Sequence, residues 1–187
     1  FFLNSMSYKK NKMKHIYFTL GVLLIFIISC NNESTNQTNE ILNGQYVNQN
    51  NDNIITTIGN FSNGKKDGYF MYFDNKGKLL AQENYKNDQL DGIQITVHGT
   101  GKIDTKSSYS NGILNGTYEK YYKTGKLRES GSFKNGVKDG EVIWYYDNGQ
   151  KNIVYTYQHG ELNGPSKTFD KEGVLLEESI YENGEKL

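Results

Sequence analysis

Few side chains in this sequence are placed to carry out chemistry. The three histidines are His15, His98 and His159, and no two of them have the spacing of metal ligands or allow a Cys/His pair. Acidic pairs such as Glu177 and Glu178 are adjacent on a predicted strand, where neighbouring side chains point to opposite faces, so no carboxylate dyad is indicated. We therefore expect no catalytic residue, metal or cofactor, and we interpret the chain as a non-enzyme whose histidines are solvated turn residues.

Two further classes of site are disfavoured by the sequence. The 20 glycines suggest a phosphate-binding loop, but they recur with a fixed period before predicted strands, so no helix N-terminus follows to hold an anion. The 21 basic residues include four lysines that precede Cys30, whereas all 21 acidic residues follow it, which leaves the remainder with a net charge of −4. Nucleic-acid binding needs a basic surface, and we exclude it.

The position of the only cysteine, Cys30, indicates a modification. A basic stretch at residues 9–14 is followed by a largely apolar run from Ile16 to Ile28, the order typical of a secretory signal peptide. The run is shorter than the roughly twenty residues of a membrane-spanning helix. Residues 27–30, Ile-Ile-Ser-Cys, resemble a bacterial lipobox, which implies that the Cys30 thiol receives a diacylglyceryl group. The alternative is that Cys30 merely ends a membrane anchor.

These features divide the chain into three parts. Residues 1–29 are a predicted signal peptide, with Met13 as an alternative start, and residues 30–42 are the lipidated cysteine and a polar, flexible tether. Residues 43–187 form the exported domain. Lipidation would attach the protein to the membrane, and we expect it at the cell envelope, at the outer membrane or periplasmic face in a Gram-negative cell.

The exported domain repeats every 24 residues. One series of turn-forming dipeptides is Asn43-Gly44, Asp67-Gly68, Asp91-Gly92, Asn115-Gly116, Asp139-Gly140 and Asn163-Gly164. A second series is Gly64, Asp88, Gly112, Gly136, Gly160 and Gly184, and a third is Gly77, Gly101, Gly125, Gly149 and Gly173. Short aromatic and β-branched runs lie between these turn signals. We predict an all-β fold, an elongated single-layer antiparallel meander of about six β-hairpin repeats, with the polar first repeat as a cap.

The repeat also indicates which side chains form the core. Three columns recur: Phe61, Tyr85, Tyr109, Phe133, Tyr157 and Tyr181; Phe73, Val97, Tyr121, Tyr145 and Phe169; and Ile55, Leu79, Ile103, Leu127, Lys151 and Leu175. We expect them to stack into one ribbon of core. Tyr72, Trp144 and Tyr155 fall outside the columns, so we predict that they face the other side and, if they cluster, form the contact patch for a partner.

Two segments resemble a known repeat. Residues 63–68, Asn-Gly-Lys-Lys-Asp-Gly, with Tyr72-Phe73 and Gly77-Lys78-Leu79 after them, are similar to the MORN-repeat variant of bacterial proteins often labelled as toxin-antitoxin system antitoxins. Residues 135–140 repeat the pattern. The likeness covers residues 43–187, and it implies an elongated single-layer sheet that serves as a protein-interaction or membrane-proximal module. Asp88, in place of glycine, and His98-Gly99-Thr100 depart from the pattern, so the third repeat is expected to be irregular.

The sequence thus favours a non-enzymatic, membrane-anchored lipoprotein that binds a protein partner, or a glycan, at the cell envelope. The alternative, which depends on the resemblance, is an antitoxin or an anchored immunity protein that neutralises a toxin. The sequence does not identify the partner.

The lipidation hypothesis can be tested directly at Cys30. We expect Cys30→Ser to abolish incorporation of a labelled fatty acid and to leave an unprocessed or soluble form, because the thiol is the only acylation site in the predicted motif. Metabolic labelling and cell fractionation would measure both effects. Unchanged labelling would refute lipidation at this position.

Overall fold

A computed structural model describes residues 42–187 of the chain, so the predicted leader, Cys30 and nearly all of the tether lie outside the described residues. The regular structure of residues 42–187 is entirely β-sheet. The strands are β1 (Gly44–Gln49), β2 (Ile55–Ser62), β3 (Lys65–Lys66), β4 (Gly68–Phe73), β5 (Leu79–Lys86), β6 (Gln89–Leu90), β7 (Gly92–Val97), β8 (Ile103–Ser110), β9 (Ile113–Tyr121), β10 (Leu127–Lys134), β11 (Val137–Lys138), β12 (Gly140–Tyr145), β13 (Lys151–Gln158), β14 (Glu161–Phe169), β15 (Leu175–Glu182) and β16 (Glu185–Lys186).

The strands form one open antiparallel sheet. Their order is β1-β2-β4-β5-β7-β8-β9-β10-β12-β13-β14-β15-β16, which follows the chain, and the short strands β3, β6 and β11 pair with β2, β5 and β10. Each long strand therefore pairs only with the long strands before and after it in sequence, as expected of a repeat array. The predicted all-β, single-layer meander is confirmed.

Only two of the three series of turn signals reverse the chain. Reversals occur at Asn63-Gly64 and its equivalents, where both residues have positive φ, and at the loops that end at Gly77 and its equivalents. The series that contains Asn115-Gly116 lies within a strand instead. Ser107 and Tyr109 of β8 pair with Tyr118 and Leu114 of β9, so three residues of β8 face five of β9 in a β-bulge.

The prediction that this first series forms hairpin turns is therefore wrong. Asn-Gly and Asp-Gly dipeptides indicate only that the backbone can adopt a left-handed conformation there, and Gly116 indeed has a positive φ of 110°. A bulge with a left-handed residue meets the same requirement as a hairpin turn, so the dipeptide does not distinguish them.

The Asn or Asp of four of the six bulges, at positions 43, 91, 115 and 139, connects neighbouring repeats. The Asn43 Oδ1 atom accepts a hydrogen bond of 2.7 Å from the backbone N–H of Asn63, and Asp139 Oδ2 accepts one of 3.4 Å from that of His159. The backbone N–H of Gly136 also donates to the carbonyl of Leu114, at 2.9 Å. These bulge residues thus fix their hairpin turns to the repeat before.

The third repeat is regular in spite of its departures from the pattern. Asp88 takes the left-handed backbone of the glycine that it replaces, with a φ of 68°. Its carboxylate accepts a hydrogen bond of 2.7 Å from the Lys66 backbone N–H, and its own N–H donates to the Lys66 carbonyl at 3.0 Å. Thr96 pairs with Ala81 as Tyr72 pairs with Thr57 one repeat earlier. The expected irregularity is absent because the carboxylate stabilises the turn.

The two aromatic columns lie on opposite faces of the sheet, and the prediction of one ribbon of core is wrong. Tyr145 of the second column shares a hydrogen bond of 3.2 Å with Ser130, whereas the adjacent Gly131 packs against Val142 on the face of the first column. Phe73 of the second column is three residues after Phe70, which contacts Tyr85 of the first column, so alternation along β4 places Phe73 on the opposite face. We call the face of the first column the aromatic face.

The best-buried side chains of the described residues pack against glycines. Phe70 and Val142 are each 1% exposed, and their neighbours on the adjacent strands are Gly59 and Gly131. A methyl group on Gly59 would overlap the Phe70 ring, and one on Gly131 would lie 2.9 Å from Val142. The missing side chains leave room for the larger ones, which gives a single-layer sheet a local core.

A substitution at Gly59 tests this packing. We expect Gly59→Ala to lower the free energy of unfolding by about 1–3 kcal/mol, because the added methyl group forces the Phe70 ring from its site. Chemical denaturation would measure the change. Gly99→Ala is the control, since nothing lies within 4 Å of that position and its φ is not positive. Equal stability of the two variants would contradict the packing argument.

Candidate binding face

The aromatic face carries a first cluster of rings in the N-terminal repeats, formed by Phe61, Phe70, Tyr72 and Tyr85. The Phe70 ring centroid lies 5.4 Å from that of Phe61 and 5.3 Å from that of Tyr85, both edge to face. This geometry is favourable for aromatic pairs. The first cluster is therefore a continuous patch of rings across β2, β4 and β5.

A lysine completes the first cluster. Lys66 pairs with Phe61, and its Nζ atom lies 4.9 Å from the ring centroid of Phe70, 5.4 Å from that of Tyr72 and 4.6 Å from that of Tyr85. It also donates a hydrogen bond of 2.8 Å to the Tyr72 hydroxyl. An ammonium group at such distances is attracted to the ring faces. The rings thus hold a positive charge at the surface of the sheet.

A second cluster, formed by Trp144, Tyr155, Tyr157 and Tyr181, occupies the C-terminal repeats. Tyr155 lies 5.7 Å from Trp144, 6.4 Å from Tyr157 and 6.0 Å from Tyr181, in each case measured between ring centroids. Lys138 Nζ is 4.7 Å from the Trp144 ring and 5.2 Å from the Tyr157 ring. The same amine forms an ion pair of 3.3 Å with Glu129. The second cluster therefore repeats the chemistry of the first.

The three residues predicted as a contact patch divide between these clusters. Trp144 and Tyr155 contact each other, but Tyr72 belongs to the first cluster, six strands and roughly 29 Å away. All three lie on the aromatic face and not on the other side, because Tyr72 shares a face with Phe70, and Tyr155 with Val142, its partner on β12. Their contact with a partner stays a prediction.

Polar side chains lie on the aromatic face next to the first cluster, on the side of the second cluster. The Tyr85 hydroxyl donates a hydrogen bond of 2.5 Å to Glu83, and the Gln94 amide donates one of 2.7 Å to the other carboxylate oxygen. Burial, together with the hydrogen bond to Glu83, raises the pKa of Tyr85 far above its usual value. Ser107, farther along the same row of the sheet, is 4% exposed. Between the two clusters the aromatic face therefore carries both these polar groups and the rings of Tyr109, Tyr118 and Phe133.

Sequence reasoning missed a set of contacts between repeats at the loop edge of the sheet. The hydroxyl groups of Tyr122 and Tyr146 donate to the carbonyls of Tyr145 and Phe169, at 2.7 and 2.8 Å. His98, at the equivalent position, lies 3.1 Å from the Tyr121 carbonyl. The prediction of a solvated His98 is wrong, since its side chain is 16% exposed. The 24-residue period aligned these positions, but nothing in it indicated contacts to the following repeat.

Among residues 42–187, no group of three or more His, Cys, Asp or Glu side chains could hold a metal ion. In the same range, no helix has the length and apolar character needed to cross a membrane.

Burial of the Tyr85 hydroxyl, together with its hydrogen bond to Glu83, raises the pKa of Tyr85 and predicts a dependence of stability on alkaline pH. The unfolded chain releases the Tyr85 proton near pH 10, whereas the folded chain retains it, so the unfolding free energy should fall as pH rises above 10. Tyr85→Phe removes this contribution and should make the fall shallower. Urea unfolding at pH 8, 10 and 11 would measure it, and an identical fall in both proteins would contradict the assignment.

Comparison with known proteins agrees with this geometry. A family model described as MORN repeat variant matches residues 66–87, 114–135, 138–159 and 162–183. No curated protein matches the chain. The four matched segments begin at equivalent positions of the repeat, which are Lys66, Leu114, Lys138 and Leu162. Each segment extends over one hairpin of the sheet. Four segments of the sheet are therefore similar to MORN-variant repeats, and the unmatched hairpins between residues 43 and 187 share their 24-residue period.

Proposed function

We propose that this chain is a non-catalytic binding module, held at the cell envelope through a lipidated Cys30, and that its aromatic face contacts a protein partner. Repeat arrays of this type are generally modules for binding proteins or membranes, which supports the general class. The position of Cys30 after the predicted signal peptide supports the anchor.

The observation that carries the proposal is the pair of lysine and aromatic clusters on one face of a single-layer sheet. Trp144, Tyr155 and Tyr72 are half-buried, so part of each ring is accessible to a partner. Tryptophan and tyrosine are the side chains most enriched among residues that dominate binding energy. No second layer of the described chain covers this face.

The charges of the clusters indicate the chemistry of the partner. The Lys138 amine forms an ion pair with Glu129, whereas the Lys66 amine donates a hydrogen bond to the uncharged hydroxyl of Tyr72. A carboxylate of a partner could therefore approach Lys66 more favourably than Lys138. We propose a protein that places aliphatic or aromatic side chains on the two clusters and an acidic side chain near Lys66.

Crosslinking in cells tests the proposal. A photoreactive residue at Tyr155 of the full lipoprotein should crosslink to a distinct protein, and Trp144→Ala should reduce that product at least fivefold, because the ring next to the probe is lost. Tyr69→Ala is the matched control, since Tyr69 is 63% exposed on the opposite face. Circular dichroism would verify that the variants fold.

The outcomes distinguish the alternatives. Equal loss in the Trp144 and Tyr69 variants, or crosslinking to no protein, would contradict a binding role for the aromatic face. Crosslinking only to a glycan would exclude a protein partner. If the captured protein is a toxin whose lethality this chain relieves on co-expression, the binding module is an immunity protein.

A further inference from the structure

The loop edge of the sheet contains a cavity of roughly 380 Å³. It lies among the loops that follow β7, β9 and β12, which belong to three successive repeats, and further strands pair on both sides of them. Its lining includes three rings and three charged side chains, which are His98, Tyr121, Tyr122, Lys123, Arg128 and Asp147. Ligand sites typically have volumes of about 300–1,000 Å³, so the cavity is large enough for a small ligand.

Two of the rings are held in place by the following repeat. The Tyr122 hydroxyl donates a hydrogen bond of 2.7 Å to the Tyr145 carbonyl, and the His98 Nε2 atom lies 3.1 Å from the Tyr121 carbonyl oxygen. At the equivalent position of an earlier repeat, Asp74 instead accepts hydrogen bonds from N–H groups of its own loop. The rings reach across to the next repeat, whereas the shorter aspartate caps its own loop. The rings therefore form walls between successive loops in the middle of the array.

Arg128 is the feature of the cavity that indicates a ligand. It is the single arginine among the 21 basic residues of the sequence, and it is half-buried. Among residues 42–187, its guanidinium has neither an ion-pair partner nor a hydrogen-bond partner. A guanidinium presents its N–H donors in a planar fork that fits a carboxylate or a phosphate. An anion that enters the cavity therefore meets donors that no other group of the described residues engages.

The other lining groups select among anions. Asp147 lines the same cavity, so its carboxylate repels a doubly charged phosphate, but it accepts hydrogen bonds from hydroxyl groups. Lys123 adds a second positive charge, and the rings of Tyr121 and Tyr122 offer an apolar surface. A sugar that carries a carboxylate matches all of these groups, because it combines a single negative charge, hydroxyl groups and an apolar C–H face.

We propose that the cavity binds a uronic acid, with the carboxylate of the sugar on Arg128 and its hydroxyl groups on Asp147. The site is separate from the aromatic face, because Tyr121 belongs to the second column, and it does not depend on the protein contact proposed above. The fold itself does not require the arginine. The equivalent positions of other repeats are Leu80, Asp104, Asn152 and Leu176. The scaffold accepts apolar and polar side chains there, so Arg128 can be replaced without loss of the fold.

Nuclear magnetic resonance of the full chain in detergent micelles tests the proposal. Because the sequence has a single arginine, its Nε–H group gives one signal, and we expect that signal to shift saturably during titration with sodium D-glucuronate. The backbone amide signals of residues 122–124 follow binding in the variants.

The variants separate the site from its surroundings. Arg128→Asn, which introduces the residue type of the next repeat, should raise the dissociation constant for D-glucuronate at least tenfold, and Asp147→Asn at least threefold. Lys126→Gln is the matched control, because Lys126 is exposed on the same loop and does not line the cavity, and it should change the constant less than twofold. Unchanged amide signals elsewhere in the spectrum would verify that the variants fold.

Three further probes decide the class of ligand. D-glucose lacks the carboxylate, propionate lacks the hydroxyl groups, and inorganic phosphate is repelled by Asp147, so each should bind at least tenfold more weakly than D-glucuronate. Equal binding of D-glucose would overturn recognition of the carboxylate. Equal or tighter binding of propionate or phosphate would overturn the sugar in favour of a simple anion site. No saturable shift of the Arg128 signal with D-glucuronate, or an equal loss of affinity in the Lys126 and Arg128 variants, would overturn the site itself.

Discussion

The absence of a second layer over the sheet is the constraint on which the rest of this structure depends. Because nothing else in the described chain covers the faces, each side chain can be buried only by its neighbours on adjacent strands. The protein meets this constraint by placing large residues beside glycines, as with Phe70 on Gly59 and Val142 on Gly131. Stability is therefore distributed along the sheet, and each repeat is stabilised by the next.

Connections between repeats at the two long edges follow from the same constraint. At one edge, Asn43 and Asp139 of the bulges accept hydrogen bonds from turn N–H groups. At the other, Tyr122 and Tyr146 reach the backbone carbonyls of the following repeat. With few well-buried side chains, hydrogen bonds between repeats hold neighbouring hairpins in register. The residues that connect the edges are polar or amphipathic for this reason.

The fold could be predicted from the sequence because period, glycine spacing and strand chemistry all indicated the same meander. Finer features could not. Asp67-Gly68 indicates a left-handed backbone, which is compatible with a β-bulge as well as with a hairpin turn. Only the pairing of Phe61 with Lys66 and of Ile58 with Met71 shows that it is a bulge. Phe73 likewise lies on the opposite face from the adjacent Tyr72 because side chains alternate along β4, and the 24-residue period does not show which column lies on which face.

The candidate site was predictable in residue type but not in arrangement. Tyr72, Trp144 and Tyr155 were recognisable as aromatic residues outside the columns, yet Lys66 and Lys138, which sit over the rings beside them, gave no signal of their own. Their significance comes from a comparison between repeats. The equivalent positions are leucine at Leu90, Leu114 and Leu162, so the scaffold accepts an apolar side chain there.

The lysines at positions 66 and 138 of this series change the surface without changing the fold. The backbone register is the same at Lys138 and at Leu114, each of which pairs with an aromatic residue of the first column. The repeats therefore separate two requirements: glycines, bulges and the aromatic column maintain the sheet, while the residue beside each ring sets the local charge. The clusters of rings and lysine form where the residue beside the ring is a lysine and not the leucine of the other repeats. In an otherwise uniform array, a binding surface has to be encoded by such differences between repeats.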